Sequence, residues 1–239
     1  MSLHRISLDH APPPAGNTLT LTDEEAWHAV AVKRLQAGDT VELLDGRGTV
    51  ATAAVTATEK SKRGASIALR IERVEQRPPV SPRVEIWSAV PKADRAAQMI
   101  DQLAQAGAAV WRPLISERSV TDADAKLDRL TRIAAEASKQ CGRPWHMTLD
   151  APRTIADAAA WAAAHPATTL VTDGAGLPAA SAAPVHLTRF VVLVGAEGGF
   201  TESELTSLKA AGATPLRLGP HILRTETAAV AAAVALLAR

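Results

Sequence analysis

Phe190-Val-Val-Leu-Val-Gly-Ala-Glu-Gly-Gly-Phe200 is an apolar run that stops at glycine. Pro215-Leu-Arg-Leu-Gly-Pro-His-Ile-Leu-Arg-Thr-Glu-Thr227 repeats the arrangement further on. Each reads as a buried strand feeding a glycine turn that leads towards a helix. Bare backbone N–H and C=O groups then lie at the C-terminal edge of a parallel sheet, where open α/β sheets bind ligands. The first turn continues into a helix start: Thr201 is placed as N-cap, Glu204 completes a capping box, and Phe200 with Leu205 forms the staple. Gly212 fits the position just past the helix end.

Working outward, residues after Pro82 alternate between strand and helix patterns. Strands are expected at Val84–Val90, Ala109–Leu114 and Thr169–Thr172. Helices are expected at Lys92–Ala106 (ended by Gly107), Asp122–Cys141, Ile155–Ala164 and Glu226–Ala238. This is an α/β domain with a mainly parallel sheet. The last helix is apolar almost all round and must be covered on several sides. The first 75 residues read differently. Short alternating strands, an Asp45-Gly46 hairpin turn and one helix opened by Thr22-Asp23-Glu24-Glu25 and running through Val32 predict a small β-barrel. Residues 76–82 form a proline-rich linker, leaving 83–239 as the second domain.

At 239 residues, 47% hydrophobic and 21% charged, the chain has the composition of an ordinary globular protein. A net charge of +1 restricts any nucleic-acid contact to local patches. Two exist: Lys60, Lys62, Arg63, Arg70, Arg73 and Arg77, and further on Lys126, Arg129, Arg132, Lys139 and Arg143. Either also reads as a plain solvated face. One cysteine, Cys141, excludes a disulfide framework and a thiolate zinc site. The histidine spacings match no metal motif, so no metal is expected. No signal peptide and no membrane span is legible, which points to the cytoplasm. The glycine turns lack G-x-G-x-x-G and the P-loop pattern, so a pyrophosphate ligand fits poorly. An uncharged, adenine-bearing ligand held by backbone amides fits better than a phosphate-rich one.

Leu218-Gly-Pro-His-Ile-Leu-Arg-Thr-Glu-Thr-Ala-Ala229 together with Val194-Gly-Ala-Glu-Gly-Gly-Phe200 resembles the signature of the RsmE family. These are small-subunit rRNA uridine N3-methyltransferases of the SPOUT (trefoil-knot) class. Lys92-Ala-Asp-Arg95, Glu117-Arg-Ser-Val120 and the stretch from Arg129 to Arg143 extend the likeness. Arg5, His28, Val32, Arg34, Gly38-Asp39 and Asp45-Gly46 match the family's N-terminal PUA-like barrel. The chain departs from the family's usual proline at Ala196, arginine at His221, tryptophan at Leu130, and lysine and glutamate at Gln102 and Gln105.

The resemblance implies a SPOUT α/β knot domain that binds S-adenosyl-L-methionine in a bent form. The ten implied cofactor positions are Thr172, Val194, Gly195, Glu197 and Gly199, then Leu218, Gly219, Ile222, Leu223 and Thr225. It implies 16S rRNA of the small ribosomal subunit as substrate, N3 of uridine 1498 (standard rRNA numbering) as target, and a homodimer. Arg5, Arg34, Lys92, Arg95, Arg118 and Arg143 become candidates for RNA phosphates, and Gln140 for a base edge. Arg224 is the candidate catalytic residue, stabilising negative charge on the base. Its alternative is a structural ion pair with Glu197 or Glu226. Glu197 as general base and Glu197 as loop brace both stay open. His28 reads as a packed barrel residue, and with only Phe and Trp as aromatics, at 3%, base stacking on the barrel is not expected. Two other readings remain: a non-catalytic RNA-binding assembly factor, and a related SPOUT enzyme acting on ribose or tRNA.

Overall fold

The structure, a computed structural model, describes residues 3–62, 64–92, 94–119 and 127–238. Arg63, Ala93, Val120, Lys126 and the expected helix start at Asp122 lie outside the described residues. Two compact units emerge: Met1–Pro79 with Ser138–His146, and Val80–Ala137 with Met147–Arg239.

The first unit contains β1 (His4–Ser7), β2 (Thr18–Leu21), α1 (Glu24–Trp27), β3 (Thr40–Leu44), β4 (Thr49–Ser61) and β5 (Gly64–Gln76). Their sheet runs β1-β3-β4-β5-β2, antiparallel except for β1 beside β3. Alternation sends Ile67, Leu69 and Ile71 of β5 inward against Ile6, Val41 and Leu43. Asp23 caps α1, its carboxylate accepting from Ala26 N–H at 3.1 Å. The helix expected through Val32 instead widens at His28 into a π-turn ending at Val32, with Lys33 N–H bonding His28 C=O at 2.9 Å. Arg34 follows in the left-handed region at φ 60°.

Sequence reading gave the segment 138–146 to the second domain, yet it packs on the barrel unit. Gly48 N–H donates to Pro144 C=O at 2.8 Å, His146 N–H to Gly46 C=O at 2.9 Å, and Trp145 Nε1 to Arg77 C=O at 2.8 Å. Gly48 sits at φ 94°, and a Cβ there would come within 2.5 Å of the Trp145 ring. The Asp45-Gly46 turn is therefore shaped to receive an indole from far along the chain.

The second unit is built from β6 (Arg83–Ser88), α2 (Arg95–Ala106), β7 (Val110–Ile115), α3 (Leu127–Cys141), β8 (Thr148–Leu149), β9 (Arg153–Thr154), α4 (Ile155–Ala164), β10 (Thr169–Pro178), α5 (Ala179–Ala182), β11 (Arg189–Val194), α6 (Glu202–Ala210), β12 (Thr214–Arg217) and α7 (Thr225–Leu237). The last turn of α3 belongs to the barrel unit. All pairings in the order β12-β10-β11-β6-β7-β8 are parallel, and β9 pairs with β7. Both faces of the sheet are covered. Val84, Ile86, Phe190 and Val192 meet α2, α3 and α7, whereas Trp87, Val191 and Leu193 meet α4 and α6. α7 is covered on most of its circumference, with Val234 48% exposed.

β10 is longer than expected because its register against β12 shifts between Thr172 and Leu177. That irregularity puts the Thr172-Asp173-Gly174 turn between the ends of β11 and β12. Strand order alone thus brings three turns to one sheet edge.

Candidate active site

Local sequence fixes each turn before tertiary structure joins them. Gly199 N–H donates to Ala196 C=O at 2.8 Å, closing a tight turn with Gly199 at φ 69°, where a side chain would be strained. The capping box forms as expected. Thr201 Oγ1 accepts from Glu204 N–H at 3.3 Å, and Glu204 Oε2 accepts from Thr201 N–H at 2.8 Å. Glu204 Oε1 also accepts from Glu117 N–H at 2.8 Å, so one buried carboxylate secures α6 and the loop after β7 together.

The two glycine loops meet. Thr225 Oγ1, buried at the start of α7, donates to Gly195 C=O at 3.1 Å, and Thr172 Oγ1 donates to Leu193 C=O at 3.2 Å. Between them opens a cavity of about 450 Å³, and all ten positions expected to hold a cofactor line it. Sequence reading missed four further lining residues, Phe200, Leu216, Arg217 and Ala228. A Cβ on Gly195 would come within 3.0 Å of the Gly199 backbone, whereas the space over Gly219 and Gly174 is open. Walls of backbone and small apolar groups suit a flat heterocycle. The charged lining residues Asp173, Glu197 and Arg217 give no basic cluster for a phosphate chain. Asp173 is itself paired with Lys209 at 2.6 Å, and that bond holds its carboxyl below the usual range. Size and chemistry therefore fit S-adenosylmethionine.

Arg224 stands outside this lining. It is exposed, N-terminal to α7, and no hydrogen bond or ion pair engages its side chain among the described residues. The carboxylates considered as its partners are taken by another residue. Arg95 Nη2 lies 3.2 Å from Glu197 Oε1, and Arg95 Nη1 lies 3.8 Å from Glu226 Oε1. Arg118 Nη1 donates to Gly198 C=O, and its side chain fills the space a Cβ on Gly198 would need. Two arginines read as RNA ligands thus brace the first glycine loop from outside.

The remaining positions divide. Arg5 donates to Glu42 Oε2 and to the Gln140 carbonyl, each at 3.0 Å, capping the end of α3 within the barrel unit. Helix α3 ends at Cys141 and Gly142 takes φ 78°, so Arg143 leaves the helical face it was expected to share with Glu136 and Gln140. Burial pulls the Arg143 guanidinium down to about 10. Lys92, Arg34 and Gln140 are exposed. Of the first basic patch, Arg70, Arg73 and Arg77 pair with Glu72 and Glu75 at 2.5–3.2 Å. Lys139 of the second pairs with Glu25 at 2.7 Å. No group of three metal-ligating side chains occurs among the described residues, and no described helix is long and apolar enough to cross a membrane.

A profile of the RNA methyltransferase domain matches residues 78–237, and one of the RNA methyltransferase PUA domain matches residues 21–62. The chain belongs to the RsmE family of RNA methyltransferases. It is 31% identical over 229 residues to the ribosomal RNA small subunit methyltransferase E of Mycobacterium bovis, covering 92% of this chain and 86% of that one. The Bacillus subtilis protein of the same name is 27% identical, with 95% and 91% covered. In three dimensions the chain matches the Neisseria gonorrhoeae ribosomal RNA small subunit methyltransferase E bound to S-adenosyl methionine. The TM-score is 0.83 at 26% identity, over 98% of this chain and 97% of that one. A methyltransferase of Legionella pneumophila, solved with the cofactor SAM, gives 0.84 at 28%, over 100% and 98%. The fold is accordingly the SPOUT α/β methyltransferase fold with an N-terminal PUA-like barrel. In family terms, the departures at Ala196 and His221 fall on the cavity wall, where Ala196 is buried and His221 exposed.

Proposed function

We propose that this chain methylates N3 of a uridine in 16S rRNA, uridine 1498 in standard rRNA numbering, using S-adenosyl-L-methionine. One observation carries the reading: both glycine loops converge, tied by Thr225 to Gly195, on a backbone-walled cavity with no phosphate-binding cluster. The neighbours' bound cofactor and the relatives' shared name supply the donor and the substrate class.

When bound, the sulfonium donor supplies the electrophilic methyl group, and the chain's residues position it and exclude water. Backbone groups of Gly195–Gly199 and Leu218–Leu223 would hold the donor, and Val194, Leu218 and Leu223 would supply apolar wall. The uridine imino nitrogen carries a proton at neutral pH, and that proton must leave. Arg224, exposed and without a partner among the described residues, is free to stabilise negative charge on the flanking carbonyl oxygens. Glu197 is held by Arg95 and serves better as a loop brace than as a base. The target nitrogen lies on the pairing edge, so the uridine enters unpaired or flipped out. Lys92, Arg34, Arg129 and Arg132 are among the exposed cations available for phosphates. Ile222, 99% exposed at the cavity rim, and Val234 on α7 favour a homodimer that covers them, which light scattering would register as twice the chain mass. The reaction places the enzyme in the cytoplasm.

The deciding experiment incubates the chain with S-adenosylmethionine and small subunits lacking the modification, then maps the rRNA by primer extension and mass spectrometry. N3 methylation gives a single strong stop and a methyl mass shift on one uridine. A methyl group on ribose, or on tRNA alone, would refute the reading, as would saturable cofactor binding without any transfer.

A further inference from the structure

Five tryptophans occur in the chain, and four are committed to packing or to internal hydrogen bonds. Trp87 and Trp111 are 2% and 0% exposed, Trp145 donates to Arg77 C=O, and Trp161 stacks on His165 at 4.1 Å. Trp27 is the exception. It ends α1 with 43% of its surface exposed, while Ala26 and Ala29 beside it are fully buried and anchor the backbone to the barrel. Lys60 Nζ, from the β4–β5 hairpin, lies 5.4 Å from the Trp27 ring centroid. Lys60 also lines an open hollow of about 620 Å³ in the same unit, where the hydroxyls of Thr22, Ser61 and Ser66 supply polar groups and Glu59 the one carboxylate.

An exposed indole costs hydration free energy and gains little from a single cation above it. Seven residues on, the same segment carries a second anomaly. Arg34 occupies φ 60°, a conformation that glycine takes without strain. A rigid aromatic face with an ammonium over it is the chemistry that holds one flat base and its backbone phosphate.

We propose that Trp27 and Lys60 form a nucleobase-stacking subsite, taking an unpaired RNA nucleotide on the free part of the indole with its phosphate against Lys60. The ligand class rests on the RNA methyltransferase reading. The subsite itself rests on the barrel unit alone and reverses the expectation that no aromatic platform exists there.

The test uses the full chain and a fluorescein-labelled single-stranded oligoadenylate, with an RNA duplex of equal length as control. Trp27→Ala should weaken oligoadenylate binding about 5- to 100-fold, and Trp27→Phe should retain most of it. Duplex binding and S-adenosylmethionine affinity should not move. The slope of log Kd against log salt should stay unchanged in Trp27→Ala and fall by about one in Lys60→Gln. Indole fluorescence should be quenched by the oligonucleotide in wild type, and that component should vanish in Trp27→Phe, a readout that does not depend on Trp27→Ala folding. Wild-type affinity in Trp27→Ala, equal loss for duplex and single strand, or stronger quenching by anionic vesicles than by RNA would overturn the subsite. Each would leave the methyltransferase reading standing if rRNA methylation is still observed. A wild-type chain that binds no RNA and methylates none would overturn both.

Discussion

Arginines of this chain are sorted by the company they keep. Arg95 draws Glu197 and Glu226 to a single guanidinium, and those carboxylates sit beside the two loops that wall the cavity. Without it, two like charges would be left close together beside those loops. Arg95→Met should raise the S-adenosylmethionine dissociation constant about 10-fold, the size of one partly desolvated charge pair, with Arg95→Lys recovering part of it. Isothermal titration checks this, and unchanged affinity would show that the loops keep their spacing unaided. Arg224 predicts the opposite pattern. Arg224→Ala should cut kcat about 100-fold or more while cofactor affinity holds, because its side chain lies outside the cavity. A loss confined to cofactor binding would remove it from the chemistry.

Helix α6 shows how far local sequence reaches at the level of elements. Its capping box, its staple and the left-handed Gly212 that follows were readable because each acts within a few residues. Thr201→Ala should cost about 1 kcal/mol, seen as a small fall in thermal midpoint. The same element hides what sequence could not show. Glu204 also holds Glu117 N–H, so Glu204→Ala should cost more than Thr201→Ala and disturb the Arg118 brace, raising the cofactor dissociation constant. Equal costs for the two variants would mean the second bond contributes nothing. Gly195→Ala is the steric counterpart: a methyl 3.0 Å from the Gly199 backbone must push the loops apart, and cofactor binding should fall with little change in stability.

For the molecule as a whole, pH and salt act on different parts. His4 on β1 has its pKa lowered to about 4 by burial first, then by the nearby charges of His28, Lys33 and Lys139. A lowered histidine pKa means the unfolded chain binds a proton between pH 6.5 and 4 that the folded barrel refuses. Stability should therefore be flat above 6.5 and decline as pH falls across that window. Partial exposure of the ring keeps the effect below the full linkage value. Urea midpoints for wild type and His4→Gln would test it: the variant should lose that part of the slope, and parallel curves would refute the assignment. Salt should weaken RNA binding only moderately, because Arg5, Arg70, Arg73, Arg77, Arg95 and Lys139 are already paired within the chain.

Helix caps, strand alternation and glycine turns could be read directly because they rest on periods of two and 3.6 residues and on contacts within one turn. The strand-end glycine turns were legible for the same reason, whereas the individual cavity positions came from the family resemblance. Tertiary structure alone decided which distant polar groups meet. Arg5 and Gln140, Arg95 and Glu197, Glu117 and Glu204 are separated by 135, 102 and 87 residues. No local period reports such pairs. The folded chain also decided that Trp145 would fill the Gly48 turn while Trp27 stayed exposed. An indole's place depends on which surface arrives to cover it, and that surface comes from elsewhere in the chain.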